Sequence, residues 1–205
     1  MKILFQGDSV TDCDRNREDM QDMGTGYACK IAEMFRVLES GKDICCFNKG
    51  VSGNRTCDLL ERHEEDVAKL QPDILVLLIG INDTWRRYDS DDATSTSQFE
   101  GNYTQLLEWI KKDLPDTKIL IMEPFLLDTM PDKSCWREDL DPKIQVVRKL
   151  ARKYADQFLP LDGILQQYVV AGYTEAQITE DGVHPTDIGH GIIAKECMNV
   201  LHKML

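Results

Sequence analysis

The chain has 205 residues, of which 42% are hydrophobic and 29% are charged. This balance is typical of one folded domain with a substantial core, residues 1–205, and it excludes a disordered chain. Acidic residues outnumber basic ones by 36 to 24, which gives a net charge of −12. Because that charge repels phosphate backbones and anionic lipid surfaces, neither nucleic acid nor membrane is an expected partner.

The N-terminal residues and the cysteines bear on location. Residues 1–7 contain only three consecutive apolar residues after one lysine, too few for a signal-peptide core or a membrane span. The seven cysteines form no C-x-x-C pair, so neither a disulfide framework nor a zinc ribbon is indicated. We expect a soluble, cytoplasmic protein with reduced thiols, and the sequence does not indicate an oligomeric state.

The pattern of apolar residues predicts strands that alternate with helices. Short apolar or β-branched runs predict strands over residues 2–6, 44–48, 74–79, 119–122 and 158–161. Apolar residues at helical spacing predict helices over residues 27–38, 99–114, 140–154 and 188–204. Such alternation is typical of parallel strands joined by right-handed crossovers. The sequence therefore predicts a three-layer α/β/α sandwich around a parallel sheet of about five strands.

Four short motifs follow one another along this framework. They are Gly7-Asp8-Ser9-Val10, Gly53-Asn54, Gly80-Ile81-Asn82-Asp83 and Asp181-Gly182-Val183-His184-Pro185. The first three come directly after a predicted strand or a few residues past one. Because ligands of parallel sheets bind beyond the carboxyl ends of the strands, we expect these three motifs to converge on one edge.

The residue types in these motifs are those of serine-based acyl transfer. A serine hydroxyl becomes a useful nucleophile when a base removes its proton, and we assign Ser9 as nucleophile with His184 as base. Asp181, three residues before His184, can hold the correct tautomer of the histidine and stabilise its charged form. For the oxyanion we expect three donors: the backbone amides of Ser9 and Gly53 and the side-chain amide of Asn82. Each such donor is worth roughly 3–4 kcal/mol.

On these residues the chain resembles the SGNH hydrolases, the superfamily of GDSL esterases and lipases. The four residue types in that name correspond to Ser9, Gly53, Asn82 and His184, with Asp181 as the third member of the triad. The resemblance implies a flavodoxin-like fold, no cofactor and no metal, and hydrolysis of carboxylic esters through an acyl-enzyme. Val10 departs from the leucine of the eponymous motif, and a β-branched apolar residue can fill the same space.

Other catalytic classes fit the sequence less well. An aspartate after the first strand also marks phosphatases with a D-x-D motif, but Val10 occupies the place of the second aspartate. A metal site could be drawn from Asp181, His184 and His190, although His190 is expected to face solvent or cap the last helix. A non-catalytic carbohydrate-binding protein on this scaffold would have lost the serine, histidine or asparagine, and all three are present.

The expected substrates follow from two segments that should border the site, residues 84–98 and 125–138. Trp85 and Trp136 in these segments are aromatic platforms that could bind a sugar ring. Neither segment is a long apolar helix of the kind that covers lipase sites. We therefore expect a serine esterase for short acyl groups that deacetylates sugars or oligosaccharides. The alternative is a broader acyl hydrolase of the lysophospholipase or thioesterase kind.

Overall fold

Five parallel strands form one sheet in the computed structural model, which describes residues 1–39, 41 and 43–205. The strands are β1 (Lys2–Gly7), β2 (Cys45–Asn48), β3 (Ile74–Leu78), β4 (Lys118–Met122) and β5 (Gln157–Leu159). Their order across the sheet is β2-β1-β3-β4-β5. This is the order of flavodoxin-like sheets, and it confirms the predicted parallel α/β architecture.

Nine α-helices are assigned in the described part of the chain. They are α1 (Ser9–Asp12), α2 (Tyr27–Leu38), α3 (Thr56–Glu61), α4 (Ile81–Asp89), α5 (Thr96–Asp113), α6 (Arg137–Tyr154), α7 (Leu161–Val170), α8 (Glu175–Ile178) and α9 (Asp187–Leu201). A π-helical turn spans Glu64–Ala68, and a 3₁₀ helix spans Pro131–Trp136. No helix in the ranges described combines the length and apolar character needed to cross a bilayer.

The helices bury both faces of the sheet because side chains along each strand alternate between two cores. In β1, Ile3 and Phe5 belong to the core beneath α2 and α9, whereas Leu4 belongs to the core beneath α3, α5 and most of α6. The central strand β3 is buried along its whole length. Because such a strand is buried on both faces, it appears in the sequence as a continuous run of apolar residues.

The chain reverses its direction of winding at β1, which places a crevice next to Ser9. From β1 the chain crosses to β2 on one side and then returns to β3 on the other. Gly7 at the end of β1 pairs with Leu78 at the end of β3. The segments that follow both strands therefore emerge side by side at a topological switch point, the usual location of ligand sites in open parallel sheets.

Four of the nine helices were predicted from the sequence. The segment 84–98, which was expected to border the site, begins within α4, and this helix presents Asn82 and Trp85 from a rigid element. The helix has few apolar residues and buries mainly its first turn, from Ile81 to Thr84. That burial pattern leaves little periodicity to detect in the sequence.

Candidate active site

Ser9 is held at the start of α1 by a dense set of contacts around the end of β1. The Asp8 carboxylate caps the helix by accepting the Val10 amide at 3.1 Å. Behind α1, the side chain of Asn48 at the end of β2 donates to the carbonyl of Thr11 at 2.7 Å and to that of Met23 at 2.9 Å. The short helix is therefore fixed to both strands that border it, which gives the serine one orientation.

Ser9, His184 and Asp181 form a continuous chain of hydrogen bonds. The Oγ of Ser9 lies 3.0 Å from Nε2 of His184, although 175 residues separate them. On the other side of the ring, Nδ1 lies 3.1 Å from Oδ2 of Asp181. Since an ionised carboxylate only accepts, Nδ1 carries the ring proton and Nε2 is free to accept the serine proton. The three predicted triad residues are thus brought together in the order that acyl transfer requires.

A tight turn sets the local geometry of the aspartate and the histidine. Oδ1 of Asp181 accepts the backbone amides of Val183 at 3.0 Å and His184 at 2.8 Å. Gly182 between them has a φ of +92°, and an added Cβ there would lie 2.4 Å from the carbonyl oxygen of Leu127. Only glycine adopts this conformation without strain in so little space. The Asp-Gly-Val-His motif is therefore a structural unit that fixes the aspartate and the histidine relative to each other.

Lys133 is a member of the site that the sequence analysis did not find. Its ammonium donates to Oδ2 of Asp181 at 2.8 Å and to the backbone oxygen of the same residue at 2.7 Å. The nitrogen also lies 4.6 Å from the ring centre of Trp85 and 5.5 Å from that of Trp136. Because the 3₁₀ helix that carries Lys133 is distant from Asp181 in sequence, no local pattern could signal this contact.

These contacts set the protonation of the aspartate and the histidine. Burial opposes the charge on Asp181, but hydrogen bonds from His184, Lys133 and Val183 outweigh it and hold the pKa of Asp181 well below its usual range. The hydrogen bond to Asp181 raises the pKa of His184 above the ordinary histidine value, while burial and the charge of Lys133 lower it. The histidine is thereby made a stronger base.

The oxyanion donors proposed from sequence lie on three neighbouring segments: Ser9 at the start of α1, Gly53 in the loop after β2, and Asn82 in α4. Asn82 is buried in the first turn of α4, and its Nδ2 donates to the backbone oxygen of Asn54 at 3.0 Å. This bond uses one of the two amide hydrogens and leaves the other for a ligand. Gly53 precedes Asn54 with a φ of +84°. The loop is joined to β1, because the Val51 amide donates to the carbonyl of Gly7 at 3.1 Å.

Asp8 and Asp83 flank these donors and act as buried acceptors. Asp83 accepts the amide of Thr56 at 3.1 Å and its hydroxyl at 2.7 Å, which ties the start of α3 to α4. Burial raises the pKa of Asp83 to about 6 and that of Asp8 to about 7. Both side chains accept backbone amides at the start of a helix, Asp8 at α1 and Asp83 at α3.

Of the two predicted tryptophan platforms, Trp136 lies elsewhere than expected. Trp136 is only 4% exposed and packs on Trp85, with ring centres 5.0 Å apart, and on Tyr88. It therefore has no open face for a sugar ring, because the 3₁₀ helix turns it inward. Trp85 is partly exposed, and its ring centre lies 5.6 Å from that of His184. Of the two predicted platforms, only Trp85 borders the site.

His190 also differs from its prediction, since it is buried rather than solvent-facing. Its Nδ1 accepts the backbone amide of Tyr27 at 3.1 Å, so the ring caps α2 instead of its own helix. Within the described ranges, no three histidine, cysteine or carboxylate side chains converge as a metal ion would need. The metal site drawn from Asp181, His184 and His190 is therefore not supported by the arrangement of these residues.

A polar cavity of about 460 Å³ begins at Ser9 and His184. Its walls come from the segment after α1 and from the start of α9, and they include Cys13, Thr25 and His190. Among the described residues, neither Asn82 nor Trp85 lines this cavity. The cavity therefore borders Ser9 and His184, whereas the other two proposed oxyanion donors, Gly53 and Asn82, are not part of its lining.

The position of Lys133 predicts an effect on the pH dependence of hydrolysis. Activity should rise as His184 loses its proton, at a pH above the ordinary histidine value of about 6.5. Lys133→Met removes a positive charge that opposes protonation of His184, and its apolar side chain can still pack against Trp85 and Trp136. We expect the acid limb of kcat/KM to move to higher pH, with a plateau lowered roughly tenfold by looser positioning of Asp181. Rates between pH 5 and 9 measure both effects.

An unshifted limb in Lys133→Met would contradict this role. Asp8 also lies near His184, and its own pKa is close to the same range. Asp8→Asn is therefore measured in parallel, because it removes that titration and leaves Lys133 in place. Lys149→Met, which loses only an exposed ion pair with Glu100, is the matched control and should leave the profile unchanged.

Comparison with known proteins gives three related findings. Residues 5–192 match the model of the GDSL-like lipase/acylhydrolase family. An acetylxylan esterase from Geobacillus stearothermophilus is 32% identical over 200 residues, which are 95% of this chain and 90% of that protein. A protein assigned as a GDSL-like lipase from Parabacteroides merdae superposes with a TM-score of 0.91 at 32% identity, covering 97% of this chain and 94% of that one.

The solved structure of the Geobacillus acetylxylan esterase superposes with a TM-score of 0.87 at 30% identity, over 97% of this chain and 92% of that one. Solved catalytic mutants of that enzyme replace a serine, an aspartate and a histidine, the aspartate three positions before the histidine. The same spacing separates Asp181 from His184. With a family match across most of its length and relatives of known activity, this chain belongs to the GDSL-like lipase/acylhydrolase family and is a carboxylic ester hydrolase.

Proposed function

We propose that this protein is a serine esterase that removes short acyl groups, chiefly acetyl, from sugars or oligosaccharides. The observation that carries the proposal is the bond chain from Ser9 through His184 to Asp181, which opens directly into a polar cavity. The Geobacillus relative is an acetylxylan esterase, and two solved variants of it are described as an acetyl-xylooligosaccharide esterase. We extend that substrate class to this chain.

In the first half of the reaction, the hydroxyl of Ser9 attacks the ester carbonyl while Nε2 of His184 takes its proton. The carbonyl oxygen becomes an oxyanion that accepts hydrogen bonds from the amides of Ser9 and Gly53 and from Nδ2 of Asn82. His184 then donates its proton to the alcohol oxygen, and the bond between carbon and that oxygen breaks. The alcohol departs and the acyl group remains on Ser9.

In the second half, water replaces the alcohol. His184 removes a proton from the water as its oxygen attacks the acyl carbon, and the same donors stabilise the second oxyanion. The bond to Oγ breaks, the serine regains its proton from His184 and the carboxylic acid is released. Asp181 stays ionised throughout, because its hydrogen bonds hold its pKa well below the working pH. Its part is to stabilise the charged histidine in both halves.

The lining of the cavity supports a polar alcohol as the leaving group. Thr25, Ser52 and His190 offer hydrogen-bonding groups there, and Asp14 and Glu180 bring negative charge to the same walls. A long acyl chain gains about 0.8 kcal/mol for each buried methylene only where an apolar slot receives it. The polar lining assigned to the alcohol is not such a slot, so an acyl chain directed into it would gain little from extra length.

The rates of hydrolysis of p-nitrophenyl acetate, butyrate and octanoate test the acyl preference. We expect kcat/KM to fall as the acyl chain lengthens, because extra methylenes find no apolar slot. Acetylated xylo-oligosaccharides, compared with phenyl acetate, test the alcohol preference, and the sugar esters should be the better substrates. A rise toward octanoate would instead favour the lysophospholipase or thioesterase function, and equal rates on sugar and phenyl esters would reject the sugar assignment.

A further inference from the structure

We propose that His190 and Cys13 form a subsite that binds the alcohol part of the substrate, with the Nε2 hydrogen of His190 donated to a hydroxyl or ring oxygen of a neutral sugar. This subsite deepens the proposed function and rests on it. Neither residue belongs to the triad or to the oxyanion donors. Both line the cavity that begins at Ser9 and His184.

The tautomer of His190 follows from its hydrogen bonds. Nδ1 lies 3.1 Å from the backbone nitrogen of Tyr27, which can only donate, so Nδ1 must accept. A neutral ring then carries its proton on Nε2. Burial lowers the pKa of His190 to about 4, and nearby Lys30 and His184 act in the same direction. Asp187 acts in the opposite direction, and the ring stays neutral in the pH range where His184 is an active base.

The Nε2 hydrogen has a weak partner in the described structure. Nε2 lies 3.4 Å from Sγ of Cys13, and the same sulfur lies 3.4 Å from Oγ1 of Thr25. A thiol sulfur is a poor acceptor compared with a hydroxyl or ether oxygen. A buried donor that faces only sulfur therefore gains free energy when an oxygen atom approaches it. His190 is only 6% exposed, and it belongs to the lining of the cavity.

The reaction itself places the alcohol on this side of the serine. His184 must reach the departing oxygen in order to protonate it, and His184 lines the cavity whereas Asn82 does not. The carbonyl oxygen turns toward the oxyanion donors, so the rest of the alcohol extends into the cavity. Carboxylates of Asp14, Glu180 and Asp187 also line it, and their charge disfavours alcohols that carry carboxylate or phosphate. A neutral alcohol with many hydroxyl groups can accept the His190 hydrogen and is not repelled by these carboxylates.

Two variants distinguish the proposed role of His190 as a hydrogen-bond donor to the substrate from its structural role as the cap of α2. His190→Asn keeps an oxygen near the position of Nδ1 to accept the Tyr27 amide, and it removes the donor at the cavity end. Cys13→Ser leaves the cap of α2 untouched and places a stronger acceptor against His190, which competes with a ligand for the donor. Both variants should retain the unfolding temperature of the wild type closely enough for assay.

The test measures inhibition of p-nitrophenyl acetate hydrolysis by deacetylated xylotriose, a probe of the alcohol site alone. We expect competitive inhibition in the wild type and an inhibition constant about 3- to 10-fold higher in both variants, as for one lost hydrogen bond. Their kcat for p-nitrophenyl acetate should stay within about twofold, because the triad is unchanged. Thr186→Ser is the control, because it removes only a methyl group from the same cavity and keeps the hydroxyl that caps α9.

Absence of inhibition in the wild type, or an unchanged inhibition constant in both variants, would overturn the subsite. An equal loss of kcat for p-nitrophenyl acetate and of inhibition would also overturn it, since it indicates a general structural role. Failure of the proposed function is seen separately, as a lack of acetate release from acetylated xylo-oligosaccharides. An enzyme that binds xylotriose through His190 and does not deacetylate such esters would keep the subsite and reject the function.

Discussion

Ser9→Ala should lower kcat/KM for p-nitrophenyl acetate by about 10⁴-fold or more and leave the fold intact. The hydroxyl is the proposed site of acyl transfer, and the oxyanion donors alone retain only a small part of the acceleration over water. Its side chain contacts Nε2 of His184, and the helix cap is provided by Asp8 rather than by Ser9 itself. Thermal unfolding and initial rates, measured on the same preparations, separate loss of chemistry from loss of structure.

Ser52→Ala is the matched control for this experiment. Ser52 lines the same cavity, and its backbone amide rather than its hydroxyl donates to Asp12 at 2.8 Å. The sequence around Ser52 lacks the spacing of a G-x-S-x-G nucleophile elbow, so it is not expected to be reactive. The control should lose less than about threefold in kcat/KM, in the range of a single neutral hydrogen bond. The opposite ranking of the two variants would identify Ser52 as the nucleophile.

Asn82→Ala should lower kcat about 10²- to 10³-fold with little change in KM. Its amide hydrogen is proposed to bind the oxyanion, which exists only in the transition state and the intermediates, so its removal affects the chemical step more than substrate binding. The variant also leaves the carbonyl of Asn54 without its 3.0 Å donor, at a cost of about 1–3 kcal/mol in the free energy of unfolding. Rates are therefore measured well below the unfolding transition.

Asn102→Ala provides the comparison for Asn82. Asn102 lies on α5 and donates to Oγ1 of Thr56 at 3.4 Å, close to the same network that Asp83 organises. It should lose stability without a large loss of kcat. If Asn82→Ala behaved like Asn102→Ala, Asn82 would be a structural residue of α4 and the oxyanion assignment would be wrong.

Most strands and the longer helices could be predicted from the sequence, because burial of one face of a helix leaves apolar residues at a regular spacing. The helices α2, α5, α6 and α9 each bury one face against the sheet, and their apolar spacing predicts them closely. The start of α7 was instead assigned to the fifth strand: residues 158–161 were predicted, whereas β5 is Gln157–Leu159 and α7 begins at Leu161. A short edge strand followed at once by a helix has too few residues for either period to be recognised.

The site was predictable where its chemistry lies in local motifs and not where tertiary packing creates it. Ser9 and Asn82 each follow the end of a strand, so the topology of the sheet brings these two residues to the same edge. Asp181 and His184 share one turn, so their contact is set by the local sequence. Lys133, in contrast, meets Asp181 only because the 3₁₀ helix folds over the turn. Trp136 was expected at the surface, and the same 3₁₀ helix buries it. The contacts of Lys133 and Trp136 depend on the direction in which each side chain points, and no short sequence pattern predicts that direction.

Covalent labelling with a fluorophosphonate, followed by peptide mass spectrometry, tests the central claim most directly. The reagent reacts with a serine that an adjacent histidine activates, and it leaves a stable adduct on the nucleophile. The account predicts one adduct per chain on the peptide that contains Ser9, loss of esterase activity in step with labelling, and no adduct in Ser9→Ala. An active enzyme that is labelled at another residue, or that is inactivated without modification of Ser9, would contradict the account.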